Sequence, residues 1–319
     1  MLDRPTTREG WLARAAALKI EGRAFIDGAY VDALDGKTFA KISPIDGRVF
    51  AHVADCGAAD VDRAAKAARA AFESGVWRDA DPLHKKKVLL RLAELIRENV
   101  DEIALLETLD VGKVIANSIS VDVPSCANCI QYYAELADKL YDEVAPTGAH
   151  DVAMVRKEPL GVVGAIVPWN YPLILAAWKL GPALVAGNSV ILKPAEQSPL
   201  GSLVLGRLAK EAGLPNGVLN IVPGFGEKAG KPIALHPDVD RAVRSARAAF
   251  DSGVWRDADP LTKKKVLLRF AELIRENAEE IALLETLDVG KVIGNSLAVD
   301  VPFCANCIQY YAEYADKAL

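Results

Sequence analysis

The run Gly161-Val162-Val163-Gly164-Ala165-Ile166-Val167 decides the fold. It is uncharged and apolar throughout, far too short to span a membrane, and has the texture of a strand covered on both faces in a parallel sheet. The residues that follow keep to that reading. A helical pattern over residues 172–186 is ended by Gly187-Asn188, and residues 189–192 form a second strand. Residues 200–212 give a second helix and residues 218–222 a third strand. Strands and helices alternating through short loops indicate a doubly wound sheet. The alternation stops after the third strand, about half the usual set. The expected fold class is therefore α/β: a partial doubly wound (Rossmann-like) parallel sheet with a helical segment, a few antiparallel strands and a duplicated C-terminal helical segment.

Working outward, residues 8–18 read as a short helix. Residues 24–53 have the period-2 texture of strands, turned at Asp27-Gly28, Asp35-Gly36 and Asp46-Gly47. From residue 58 the period becomes helical, with Val61, Ala64, Ala65, Ala68 and Phe72 on one face. Residues 77–81 break that helix. Asp81-Pro82 then supplies an N-cap and a first-turn proline for a helix that buries Leu89, Leu92, Ile96, Val100 and Ile103 and ends near Gly112. A third helix is expected over residues 123–141, and a return to strand over residues 150–156.

Residues 60–141 recur as residues 238–319, 178 positions further on and without insertion or deletion. Roughly four in five positions are identical, which makes this a second copy rather than a shared helical rhythm. Two copies separated by unrelated sequence do not make a solenoid. The expected parts are residues 1–160 (antiparallel strands of an oligomerisation type and a helical segment), residues 161–237 (an incomplete nucleotide-binding half) and residues 238–319 (the duplicate).

Of 319 residues, 51% are hydrophobic and 25% charged, as in an ordinary globular protein. A net charge of −5 argues against an electrostatic nucleic-acid binder. No stretch is long and apolar enough for a membrane span. The start Met1-Leu2-Asp3-Arg4-Pro5 lacks the apolar core of a signal peptide, and the cysteine count is odd, at five. A reduced cytoplasm is the expected compartment.

Three strand ends carry chemistry: Val167-Pro168-Trp169-Asn170, Lys193-Pro194-Ala195-Glu196 and Gly224-Phe225-Gly226. Ligands of open α/β sheets bind outside the carboxyl ends of the strands. Lys193 can donate to a ribose hydroxyl and Glu196 can accept from one. Residues 224–229 fit G-x-G-x-x-A after a strand, a form of the dinucleotide fingerprint. A tight turn explains that match equally well. The three ends together point to a nucleotide.

The stretch Glu158-Pro159-Leu160-Gly161 through Val167-Pro168-Trp169-Asn170-Tyr171-Pro172 resembles the NAD-binding core of the aldehyde dehydrogenase superfamily. Trp178-Lys179-Leu180-Gly181-Pro182-Ala183-Leu184 and residues 192–199 and 213–226 extend the resemblance in order. Leu106-Glu107-Thr108-Leu109-Asp110-Val111-Gly112-Lys113 matches the family's helical region. The texture is nearest to bacterial enzymes acting on γ-glutamyl-γ-aminobutyraldehyde. The resemblance implies NAD as cofactor, with NADP left open, and an aldehyde as substrate of complete relatives. Ile166, Val167, Pro168, Trp169 and Asn170 would line the nicotinamide side, and Asn170 would also donate its amide to the oxyanion. Lys193, Pro194, Ala195 and Glu196 would hold the adenosine ribose, and Gly226 with Glu227 the adenine side.

The departures are large. The family's later strand end, its general-base Glu and its nucleophilic Cys have no counterpart in residues 1–319. Cys126-Ala-Asn-Cys129 and Cys304-Ala-Asn-Cys307 look like metal pairs, but the second was copied from the first and both sit in expected helices. No metal site is expected. Cys56 precedes a helix start, where a thiol pKa can fall, yet its neighbours do not resemble the nucleophile loop. The expectation is an aldehyde dehydrogenase family oxidoreductase, inactive alone and association-prone or homo-oligomeric, with the third strand's side of the sheet left as an unpaired edge. The alternatives are a non-catalytic nucleotide- or partner-binding protein and an inert recombination product.

Overall fold

The computed structural model describes residues 4–146, 150–239, 259–289 and 292–314. The chain divides into two compact units, Met1–Arg241 and Ala242–Leu319.

The first unit opens with α1 (Arg8–Ala17), N-capped by Thr7, and four short strands: β1 (Ala24–Ile26), β2 (Ala29–Val31), β3 (Thr38–Ile42) and β4 (Val49–Ala54). Asp27 and Gly28 both take positive φ, 52° and 74°, and close a two-residue hairpin between β1 and β2. Next come α2 (Ala58–Glu73), α3 (Pro82–Glu98), α4 (Val100–Val111), the short α5 (Ile115–Asn117), a π-helical turn (Ser118–Asp122) and α6 (Val123–Leu136). The hairpin β5 (Glu143–Ala145) and β6 (Ala153–Val155) leads into β7 (Val162–Ile166), α7 (Pro172–Val185), β8 (Ser189–Lys193), α8 (Leu200–Glu211), β9 (Leu219–Ile221) and α9 (Lys231–Leu235).

The strands β7, β8 and β9 pair in parallel, and β8 is buried along its whole length. Alternation along β8 divides the core. Val190 and Leu192 join the cluster with Leu173, Leu180 and Leu203 of α7 and α8. Ile191 joins the cluster on the other face, with Val61, Ala64, Ala65 and Ala68 of α2. The alanines give α2 a thin face, so its backbone lies close to the sheet. The same periods that were legible in the sequence thus assign both faces.

The sheet is mixed, with order β2-β1-β9-β8-β7, as a parallel set joined by a few antiparallel strands should be. Three expectations need correction. The outer edge of β9, expected to be unpaired, takes β1 antiparallel at Phe25↔Ile221, and Asp27 N–H donates to Asn220 Oδ1 at 2.9 Å. The helix expected from residue 82 to Gly112 is two helices. At Asn99 the backbone leaves the helical region (φ −101°, ψ 22°), and its side-chain amide donates to Leu95 O at 2.8 Å beside its own backbone N–H. Gly112 does end α4, in the left-handed region at φ 74°. The helix expected to reach residue 141 stops at Leu136.

The Trp77–Asp81 break is an anchor. Trp77 is buried and its indole N–H donates to Leu184 O of α7 at 2.9 Å. At the start of α3, Asp81 accepts from Leu83 N, as the N-cap reading required.

The second unit contains α10 (Pro260–Glu276), α11 (Ala278–Val289), α12 (Ile293–Asn295), a π-helical turn (Ser296–Asp300) and α13 (Val301–Tyr314). Each starts and ends 178 residues after its counterpart among α3, α4, α5, the first π-helical turn and α6. Its small core holds Ile274, Ala282, Val301 and Ala305. Residues 240–258 and 315–319, which belong to the expected duplicate, lie outside the described residues, as do Met1, Leu2 and Asp3.

Candidate nucleotide-binding site

The three expected strand ends lie at the carboxyl end of the parallel strands. Val167 N–H donates to Lys193 O at 3.1 Å, so the β7 and β8 ends remain in register past the sheet proper. Beyond that bond Pro168, Trp169 and Asn170 are exposed, as is Ile166 before it. Val167, Pro194 and Ala195 are buried, which leaves them backbone and packing roles only. Gly226 and Glu227 are exposed.

Lys193 is buried, and its ammonium donates to Glu196 Oε2 at 3.0 Å. Burial works against the Glu196 charge, but backbone N–H and the Lys193 ammonium hold its carboxyl below the usual range. A charged donor and a charged acceptor side by side fit the vicinal hydroxyls of a ribose. A Cβ built on Gly226 meets nothing within 4 Å, so a flat ring can approach the backbone there. The residues present therefore fit a ribose with a flat ring beside it, such as one end of a dinucleotide presents.

Gly224 answers to a different demand. Its φ is 146° and a Cβ would lie 2.7 Å from Cys56 O. The G-x-G-x-x-A match thus records one packing glycine, one open glycine and the buried Ala229, rather than a phosphate cradle.

Trp169, Glu196 and Phe225 line a cavity of ≈ 440 Å³ together with Phe39, Lys41 and Asp110. The last three were not singled out from the sequence. A signal existed, since Lys41 follows Phe39 by two residues in a strand and shares its inward face. Lys41 Nζ lies 3.1 Å from Asp110 Oδ1, with both side chains nearly inaccessible. Burial raises the Asp110 carboxyl above its ordinary range, against the pull of Lys41.

The cysteines are not arranged for chemistry in the first unit. Cys56 and Cys126 are buried and burial raises both thiols, so the helix-start position of Cys56 does not activate it. Cys126 and Cys129 both lie in α6, and Cys304 and Cys307 in α13. Among the described residues no group of three or more metal-type ligands is found, and no helix is long and apolar enough to cross a membrane.

Comparison with known proteins gives the family. The aldehyde dehydrogenase family model matches residues 30–241 and again residues 234–319. The NADP/NAD-dependent aldehyde dehydrogenase PuuC of Escherichia coli is 48% identical over 258 residues, covering 81% of this chain and 52% of the relative. The solved γ-glutamyl-γ-aminobutyraldehyde dehydrogenase of Burkholderia cenocepacia superposes with a TM-score of 0.72 at 58% identity, covering 73% of this chain and 47% of that one. The indole-3-acetaldehyde dehydrogenase of P. syringae, solved in complex with NAD+ and IAA, gives 0.73 at 54% identity, with coverages of 74% and 48%. The chain spans about half the length of the relatives it matches. It belongs to the aldehyde dehydrogenase family.

Proposed function

We propose that the chain carries the NAD-binding part of an aldehyde-oxidising enzyme, and that residues 1–319 do not oxidise aldehydes by themselves. The observation that carries this reading is the Lys193–Glu196 pair, 3.0 Å apart at the carboxyl end of β8. In complete family members the cofactor takes up the hydride lost by the aldehyde. Here Lys193 would donate to, and Glu196 accept from, the adenosine ribose. The exposed backbone of residues 168–170 would face the nicotinamide, and the Asn170 amide would steady an oxyanion. Gly226 and Glu227 would flank the adenine. NADP remains an alternative cofactor, as the dual specificity in the name of the Escherichia coli relative suggests.

The inactivity follows from what the chemistry needs. A thiolate must attack the aldehyde and a base must activate water. Cys56 and Cys126, with buried and raised thiols, supply neither. Residues 1–160, 161–237 and 238–319 form the three functional parts of this reading, in a cytoplasmic protein that self-associates through exposed apolar surface.

Titration calorimetry of the full chain with NAD tests it. The expected result is weak binding, weaker still in Lys193→Ala and Glu196→Ala, no aldehyde turnover, and oligomers in sedimentation. Tight binding that ignores both substitutions sinks the assignment of the site. Turnover abolished by Cys56→Ala or Cys126→Ala would reveal a relocated nucleophile.

A further inference from the structure

We propose that Lys41 is a positioning residue for the nucleotide site: with Asp110 it forms an internal strut that fixes the turn between β8 and α8, and so the direction of the Glu196 carboxylate. The inference rests on the nucleotide reading above. It adds two residues, from a strand and a helix remote in sequence, to which that reading gave no role.

Lysines are almost never fully buried unless paired, and Lys41 is 4% exposed. Its ammonium faces three oxygens. Asp110 Oδ1 lies 3.1 Å away, Glu196 O accepts at 3.4 Å, and Gln197 O accepts as well. An ammonium has three donors and no acceptor; two of them go to the turn carbonyls, and the contact with Asp110 is an ion pair. Two of the three oxygens belong to the turn that carries Glu196.

The other carboxylate oxygen completes the clamp. Asp110 Oδ2 accepts the backbone N–H of Leu200, the first residue of α8, at 2.8 Å. That N–H has no partner within its own helix, because the first turn never does. The turn from Pro194 to Pro199 is therefore held through Lys41 at its centre and through Asp110 at its far end. At its near end stands Lys193, whose ammonium reaches forward to Glu196 Oε2.

A buried ion pair is weak evidence for stability, since hydrophobic replacements of similar volume are often neutral. Its value here is geometric. Without the Lys41 ammonium, the carbonyls of Glu196 and Gln197 lose a buried donor and must turn toward water. The peptide planes on either side of the Glu196 Cα would rotate with them. Of the four ionisable residues Lys41, Asp110, Lys193 and Glu196, Glu196 alone is partly exposed, and it lines the same cavity as Lys41 and Asp110. The strut sits behind the binding surface and acts through Glu196.

The test uses the full chain and four variants: Lys41→Met, Asp110→Asn, the double variant, and Lys41→Arg, which keeps the charge. NAD affinity is read by calorimetry, and backbone hydrogen exchange is read by mass spectrometry over the β8–α8 turn and, as reference, over α3 and β8. We expect Lys41→Met to weaken NAD binding about tenfold, the scale of a lost charge-assisted hydrogen bond. Exchange should quicken in residues 194–200 while the reference segments keep their protection. Lys41→Arg should restore most of both losses, and the two single substitutions should be strongly non-additive. Unchanged affinity and unchanged turn exchange in Lys41→Met would overturn the proposal. So would loss of protection spread evenly over the unit, which is what a merely structural residue gives. If the unsubstituted chain binds no NAD, the nucleotide reading fails instead, and the turn exchange still decides whether Lys41 holds the turn.

Discussion

Helices α3–α6 and α10–α13 are built from nearly the same residues and have the same bounds, yet they bury different surfaces. Val88, Leu92, Leu95, Leu105 and Leu106 are at most 5% exposed in the first occurrence. Their counterparts Val266, Phe270, Leu273, Leu283 and Leu284 are 40% exposed or more. Ala93 and Ile96, by contrast, stay buried as Ala271 and Ile274. Even polar detail is reproduced, since Arg97 bridges Asn128 and Gln131 as Arg275 bridges Asn306 and Gln309. The face that closes the helices on one another is carried by the segment itself. The face that α7 and α8 cover in the first unit is not. Secondary structure here is a local property, while burial depends on which neighbours the chain supplies.

Truncating one leucine in each occurrence should break that comparison most visibly. Leu95→Ala is expected to cost about 2–5 kcal/mol, the range for a large-to-small change in a packed core. Leu273→Ala should stay within about 0.5 kcal/mol, as surface substitutions do. Denaturant unfolding followed by segment-resolved hydrogen exchange measures both. Equal costs would mean that the second face is covered in solution, by another copy or by a different partner.

A second contrast lies at matching glutamates. Glu107 is buried, neither carboxylate oxygen has a hydrogen-bond partner among the described residues, and Glu285 is only half-buried. Burial, joined by repulsion from Asp122 and Asp110 and opposed by Lys113, raises the Glu107 carboxyl from 4.5 to about 8. A carboxyl raised in the folded state holds a proton that the unfolded chain has released. The contribution of Glu107 to stability therefore falls as pH rises through the window from 4.5 to about 8. The loss is up to about 5 kcal/mol across that window. Glu107→Gln should flatten the decline in unfolding free energy and raise stability at pH 8, with Glu285→Gln as control. An unchanged pH profile in Glu107→Gln would remove the carboxyl from the account.

What was legible in the sequence follows the same division between local and remote. The face of α2 could be read from Val61, Ala64, Ala65 and Ala68, because the helical period is written in the residues themselves. The β1–β2 hairpin could be read from Asp27-Gly28, whose positive φ values are a property of the dipeptide. The pairing of Phe25 with Ile221 could not, since the two lie in different elements and nothing in either names the other. For the same reason the site was half legible. Lys193 and Glu196 stand three residues apart on one strand end. Lys41, Asp110 and Gln197 meet only through the fold, and Lys41 gave no more than the hint of a charge on an inward strand position. Asn99 shows the limit even of local reading, because one residue at φ −101°, ψ 22° divides an otherwise continuous helical pattern.

The smallest expected difference between the two occurrences is the sharpest check on locality, because the effect should be the same in both. Asp81 caps α3 by accepting from Leu83 N at 2.8 Å, and Asp259 caps α10 by accepting from Thr262 N at 2.9 Å. Both aspartates satisfy a first-turn N–H that the helix itself cannot, and both are followed by a first-turn proline. Nothing in that bond depends on whether the rest of the helix is buried. Asp81→Ala and Asp259→Ala are therefore each expected to cost about 1 kcal/mol in their own unit. Amide exchange in the first turns of α3 and α10 would report each loss separately. A cost several times larger at Asp81 would show that the cap also serves the Trp77 anchor, and that the first occurrence is supported by its surroundings even at its most local feature.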